Sequence, residues 1–397
     1  MKKLFFPTLI IFLLLASAGI FLAWYRPLWT DELFTQLNME HLNFFSILTG
    51  DMKEGNCCPL FYVNQKIFIS AIHYHFPIPW ENEFSIYEPA SQILIRLPDV
   101  IYMSLGLTII FFVFARFYSL GTGLFALALS LSNPMVYMYW AEARPYGLWF
   151  LLTTIQAALL LQCLRNKNTR HWFLLGLCHI LLALTIMFSL PQIFLVSTLV
   201  GILWKMNWRK MLWVFLFPFG IVYAYYILSK NIYSWLPTNI LGNAPCSTGH
   251  SLTISASVAF QSFFSLIVSN IPWVWLSIIG LYLLFLIGKA AFKKKFDAAK
   301  EAVIFLICTL ALLTCAAAIV FLFNIWKSSG MTILSTAPRY IMFLIPYALF
   351  FIVLSGWDFL NSIKDPLLRA IILTIYAGTI IVSILNTASY LLARGFY

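Results

Sequence analysis

Apolar runs of about 20 residues recur along the whole chain, each long enough to cross a bilayer as a helix. No other feature constrains the fold as strongly. About eleven such spans are read from hydropathy: 4–25, 92–115, 120–139, 145–164, 172–188, 190–204, 211–228, 268–288, 302–323, 340–357 and 370–391. Of the 397 residues, 62% are apolar and 10% are charged. A soluble domain carries roughly 25% charged residues, so a secreted enzyme, a nucleic-acid-binding domain and a disordered protein are excluded. The net charge of +11 does not point to nucleic acid, because the basic residues sit in short loops between apolar runs.

Those basic residues give the expected orientation. With the N-terminus cytoplasmic, the inner segments hold Lys2, Lys3, Arg116, Arg165, Lys167, Arg170, Lys205, Arg209, Lys210, Lys289, Lys293, Lys294, Lys295, Lys300, Lys364 and Arg369. That is 16 of the 25 Lys and Arg, against 4 of the 14 acidic residues (Asp297, Glu301, Asp358 and Asp365), a positive-inside pattern. Basic clusters flank 172–204 on both sides, so the chain enters and returns there, turning near Pro191. A shallow re-entrant hairpin would keep the same parity. The start of the chain also fits a secretory signal with a small-residue site at Ala16-Ser17-Ala18. The apolar run continues to Trp24, which favours a retained span, and Asp31 is outside either way.

The expected fold is thus an all-α polytopic membrane protein, one transmembrane domain over 1–397 with no separate soluble domain. Two long loops, 26–91 and 229–267, lie outside. Within the first, Leu37, Leu42, Phe45 and Leu48, and then Leu60, Val63, Ile67 and Ile72, recur at helical spacing, which predicts helices on the outer membrane surface. Cys163, Cys178, Cys308 and Cys315 fall in spans and pack. Cys57, Cys58 and Cys246 lie outside, where one of the adjacent pair can bridge to Cys246. No metal-ligand spacing occurs, and His73 and His75 do not share a helix face and read as a surface pair.

Ionisable groups at a membrane protein's span ends are costly and therefore informative. Asp31 and Glu32 follow the first span, Arg96 opens the second, Glu142 and Arg144 lie between the third and fourth, and Arg339 opens the tenth. Each alone has a structural alternative: an acidic loop start, a packed arginine, a turn ion pair, a snorkelling anchor. Together they share one depth and one side, which suggests an outward cavity rimmed by carboxylates and guanidinium groups.

The residues also carry a resemblance. The stretch 25–34, YRPLWTDELF, resembles the first outer loop of GT-C membrane glycosyltransferases, with its Asp-Glu pair. The stretch 96–152 is similar to the core of the glycosyltransferase 39, protein-mannosyltransferase-like group, whose Arg-Leu-Pro leads through two spans to a Glu-Ala-Arg-x-Tyr turn, here Glu142-Ala143-Arg144-Pro145-Tyr146. The stretch 337–350, APRYIMFLIPYALF, resembles the Arg-Tyr and later Pro of a late span in that group, here Arg339, Tyr340 and Pro346. The chain departs from the group at Cys57-Cys58-Pro59, where relatives place an acidic residue or His before Pro-Pro, and at 184–192, which lacks the His or Tyr of many relatives. A divalent metal is therefore possible in the family but unsupported by ligand spacing here.

The resemblance implies inverting transfer of a sugar from a polyprenyl-phosphate-linked donor to an acceptor hydroxyl of a glycan, glycolipid or protein, on the outer face; the Lys2-Lys3 start and the small size suggest a bacterial inner membrane. Asp31 is the expected base and Glu32 positions the acceptor. Arg339 takes the donor phosphate, with Tyr340, Glu142, Arg144, Tyr146, Arg96 and Lys230 around the substrate and Lys327 as a further candidate cation. A transporter or flippase of lipid-linked glycans is the rival. It would place polar groups near mid-membrane, often at broken helices.

Overall fold

A computed structural model describes residues 2–49, 59–76, 88–165, 169–186, 188–204, 209, 212–228, 271–291, 300–326 and 342–393. Among these the chain is helical and contains no strand. The order is α1 (Lys2–Tyr25), α2 (Thr30–His41), α3 (Phe44–Thr49), α4 (Pro59–Ile72), α5 (Pro89–Phe117), α6 (Leu120–Leu131), α7 (Pro134–Trp140), α8 (Tyr146–Arg165), α9 (Thr169–Ala183) and α10 (Ser189–Trp204). A π-helical turn (Leu212–Leu216) then runs into α11 (Phe217–Leu228), followed by α12 (Trp273–Ala291), α13 (Lys300–Trp326), α14 (Leu344–Ser362) and α15 (Pro366–Ala393). In hydrocarbon a helix satisfies its own backbone groups, which is why apolar sequence of this kind folds this way.

Each apolar run read from the sequence is mostly helical over its described residues, but eleven spans do not follow. Among the described residues six helices are long and apolar enough to cross a membrane: α1, α5, α8, α13, α14 and α15. The run 120–139 breaks into α6 and α7, bent by 76°, and counts as a seventh span only if the bent pair crosses as one. Asn133 and Pro134 cause the break. Pro134 cannot donate to the preceding turn, and the Asn133 side chain accepts from the Met135 N–H to start a new helix. The runs 172–188 and 190–204 give helices of 15 and 16 residues, short for a bilayer. In the first loop α2, α3 and α4 bear out the helical spacing, except that 37–48 is divided at Leu42 and Asn43. The apolar helices mark a membrane-embedded protein.

The middle of the bundle is α5, sandwiched by α1, α6 and α8. Gly19 on α1 permits this approach, since a Cβ there would fall 2.6 Å from Val100 and 2.8 Å from the Trp140 indole nitrogen. Gly123 on α6 does the same against the α5 backbone at Phe111.

Polar residues are not confined to the helix ends. A buried chain of hydrogen bonds links α8, α9 and α10. Trp149 Nε1 donates to Gln192 (3.0 Å), the Gln192 amide donates to Gln156 (2.6 Å) and Thr153 (3.1 Å), and Gln156 meets His179 Nε2 (2.8 Å). His179 Nδ1 lies 2.7 Å from the Val214 carbonyl in the π-helical turn. A carbonyl only accepts and an indole N–H only donates, so both ends of the chain dictate its direction: His179 is neutral, with its proton on Nδ1.

The two ends of the bundle differ. At one end Arg165 forks onto Glu301 (2.8 and 2.7 Å) and reaches the Tyr118 hydroxyl (2.5 Å), with its guanidinium over the Phe117 ring. Burial, and then the Glu301 carboxylate, push the Tyr118 hydroxyl up from its ordinary pKa. The end of α5, the end of α8 and the start of α13 therefore share one side, as the loop charges required. Asp31, Arg96, Glu142 and Arg144 gather at the other end.

Candidate functional site

The site is assembled from the chain following α1, the first turn of α2, the first third of α5 and the turn between α7 and α8. Trp29, extended at φ −108° and ψ 168°, precedes α2. Glu32, three residues on, reaches back to accept from the Trp29 N–H at 3.3 Å, as the acidic half of a capping box does. Both Asp31 and Glu32 thus stand in the first turn, where the helix dipole favours negative charge.

Glu32 is fully buried. One carboxylate oxygen accepts from Arg96 Nε at 2.7 Å and from the Ala143 N–H at 2.8 Å, and the other accepts from Arg96 Nη2. Arg96 is equally buried. Its Nη1 donates to the carbonyls of Ala23 (2.9 Å) and Arg26 (2.5 Å), and its Nη2 donates also to that of Pro27 (2.7 Å). A guanidinium has five N–H groups, and here each meets an oxygen. Arg96 has no donor left for a ligand, so its expected place among the substrate contacts gives way to that of a brace. Glu32 likewise spends its carboxylate on the protein, with Trp29, Arg96 and Ala143 as its partners. Together the pair ties α1's end, α2, α5 and the 141–145 turn to one point.

Asp31 is set differently. Its side chain keeps 29% of its exposure, with a carboxylate oxygen 3.9 Å from Arg144 Nη2. Arg144 is 11% exposed, and its Nη1 donates to the Tyr62 hydroxyl on α4 at 3.4 Å. Glu142 and Tyr146 are buried, Tyr146 with its ring 5.3 Å from that of Tyr139. The structure therefore brings together Asp31, Glu32, Arg96, Glu142, Arg144 and Tyr146. Arg339, Tyr340, Lys230, Lys327, Cys57, Cys58 and Cys246 lie outside the described residues. The described chain resumes at Met342, three residues after Arg339, and the Phe343 ring packs 5.3 Å from that of Trp149 on α8.

Sequence reasoning passed over Asp99. It lies one helical turn after Arg96 on α5, is buried, and faces the backbone N–H groups of Gly147 and Leu148 at the start of α8, with Glu142 as its nearest like charge. Neither carboxylate oxygen completes a well-formed hydrogen bond. A Cβ on Gly147 would fall 2.5 Å from Asp99 Oδ1, so only glycine admits the carboxylate there. The signal was available: a lone acid within an apolar run, three residues from an arginine and thus on the same helix face.

Among the described residues no three His, Cys, Asp or Glu side chains gather as a metal site. His75 is exposed and pairs with Glu40 at 2.9 Å, while His73 takes a left-handed backbone, φ 51°. Cys163, Cys178, Cys308 and Cys315 are free thiols. No protein-family model matches the chain, and no curated protein sequence matches it.

Proposed function

We propose that the chain is an integral membrane glycosyltransferase that moves a sugar from a polyprenyl-phosphate-linked donor to an acceptor hydroxyl, with inversion and with Asp31 as general base. One observation carries this reading: the partly exposed Asp31 carboxylate is anchored through its neighbour Glu32, whose carboxylate is buried and bonded to Arg96 and Ala143, and stands beside Arg144. A base must be held rigidly and remain reachable, and this pair of adjacent acids divides those two requirements. The resemblance of 25–34, 96–152 and 337–350 to the protein-mannosyltransferase-like group supplies the reaction class.

In the proposed step the acceptor oxygen attacks the anomeric carbon as its proton passes to Asp31. The bond from that carbon to the phosphate oxygen breaks, and polyprenyl phosphate leaves with the electron pair. Arg144 orients Asp31, and Arg339 is the proposed partner of the departing phosphate. The loop charges support a cytoplasmic N-terminus and an Asp31 end on the outer side.

A transporter of lipid-linked glycans is favoured by a different observation. The helix break between α6 and α7 adjoins a cavity of about 680 Å³ whose lining includes Ser132, Ser277, Thr379 and Asn386. Incubating the purified protein with a tagged polyprenyl-phosphate sugar and acceptor glycans separates the two. Transfer of the tag with release of polyprenyl phosphate supports the enzyme. Movement of intact donor across proteoliposomes without transfer refutes it.

A further inference from the structure

Helix α15 leans on α6 and α12 and leaves nearly its whole length exposed. Where it diverges from α14, at the Arg165 end of the bundle, a groove of about 460 Å³ opens between α6, α12, α14 and α15. Its walls are apolar, with Phe125, Leu281, Phe359 and Ile372 among them, and Arg369 stands in its lining near the α14–α15 turn. The volume falls in the range of roughly 300–1,000 Å³ typical of ligand sites.

Arg369 gives the groove its chemistry. Its Nη2 donates to the Ile363 carbonyl at 2.6 Å, which fixes the guanidinium at the turn, while its Nε is buried and meets no acceptor. The accessible Nη1 also meets no acceptor among the described residues, and a phosphate oxygen supplies both an acceptor and an opposite charge. The nearby carboxylates are engaged elsewhere: Asp358 accepts from the Tyr282 hydroxyl at 3.2 Å, and Asp365 accepts from the Leu367 N–H at 2.8 Å to cap α15. Lys364, exposed in the same turn, adds a second positive charge. An apolar slot open to the bilayer and headed by a cation matches one ligand class, a lipid with a phosphate head and hydrocarbon chains.

The geometry points to a binding site for an anionic glycerophospholipid, its phosphate on Arg369 and an acyl chain in the groove. The site lies at the opposite end of the bundle from Asp31 and is independent of the sugar-transfer reading. Gly356 offers a clean way to block it, because it lines the groove and a Cβ there meets no atom within 4 Å. Leucine at that position projects into the groove from an unobstructed Cβ and is also a better helix former than glycine.

The test is native mass spectrometry of the full chain in detergent, titrated with phosphatidylglycerol or with phosphatidylcholine of the same acyl chains. Phosphatidylglycerol should bind in preference. Arg369→Ala should weaken it roughly 10-fold, the scale of one charge-assisted hydrogen bond, and Gly356→Leu should weaken both lipids. Melting in detergent verifies that each variant is folded, and either one alone decides. Equal retention of the two lipids by the wild type, unchanged phosphatidylglycerol affinity in a folded variant, or occupation of the groove by a second copy of the chain would overturn the assignment.

Discussion

Removing the Arg96 side chain should cost the protein much of its stability, and the structure sets the scale. Arg96→Ala leaves the Glu32 carboxylate fully buried with only the Trp29 and Ala143 N–H groups as donors. It also strips the carbonyls of Ala23, Arg26 and Pro27 of the donor each receives from Arg96. Breaking a buried ion pair by deleting one partner costs about 3–5 kcal/mol. The unpaired carbonyls add to this only in part, since relaxation rehydrates some of them. Against a total stability of about 5–15 kcal/mol, that is a large share. Arg96→Lys keeps the charge but not the fork, and should fall between wild type and Ala. The assay is thermal unfolding in detergent, read as the fraction surviving size-exclusion after heating. A double variant, Glu32→Leu with Arg96→Met, should recover part of the loss, because it removes both charges and fills the space. If Arg96→Ala melts with wild type, or if the double variant simply sums the two singles, the brace is wrong.

Three further outcomes follow from the geometry. Gly147→Ala should destabilise by about 1–3 kcal/mol through overlap with Asp99, whereas Gly378→Ala, whose Cβ meets nothing, should stabilise α15 by roughly 0.5–1 kcal/mol; comparing their melting in detergent checks both. Arg165→Ala should lower melting by the equivalent of about 1–3 kcal/mol, since it takes the cation from Glu301 and leaves that carboxylate only the Tyr118 hydroxyl at 3.3 Å; Glu301→Gln measured alongside should show much the same loss. Gln192→Leu should cost about 1–3 kcal/mol by orphaning the Trp149 N–H, and the loosened indole should appear as a shift in tryptophan fluorescence.

How much of this was legible beforehand depended on the range of the forces involved. Hydropathy is a local property, so each apolar run was visible as a helix, whereas the place of Asp31 and Glu32 in the first turn of α2 was not read from the sequence. The gathering of Asp31, Arg96, Glu142 and Arg144 at one end was also legible, because span ends must share a membrane depth. The division of labour between Asp31 and Glu32 was not. It depends on which carboxylate meets Arg96 and Ala143, 64 and 111 residues away. The bend at Asn133-Pro134 carried an ordinary helix-start signal, overridden in the reading by a run of apolar residues on either side. Asp99 was missed although a lone acid one turn from Arg96 within an apolar run is a signal in itself. The buried chain from Trp149 to His179 joins four polar side chains on three helices, and no single helix hints at it.

Single-turnover sugar transfer by Asp31→Asn decides whether Asp31 takes the acceptor's proton, as proposed. Wild type and variant are matched for folded protein by size-exclusion and given the same saturating tagged polyprenyl-phosphate sugar. The account predicts intact folding, because Asp31 lies outside the Glu32–Arg96 brace. It also predicts a transfer rate lower by a factor of roughly 10²–10⁴, the usual worth of a general base. A well-folded Asp31→Asn protein transferring sugar at the wild-type rate would contradict it.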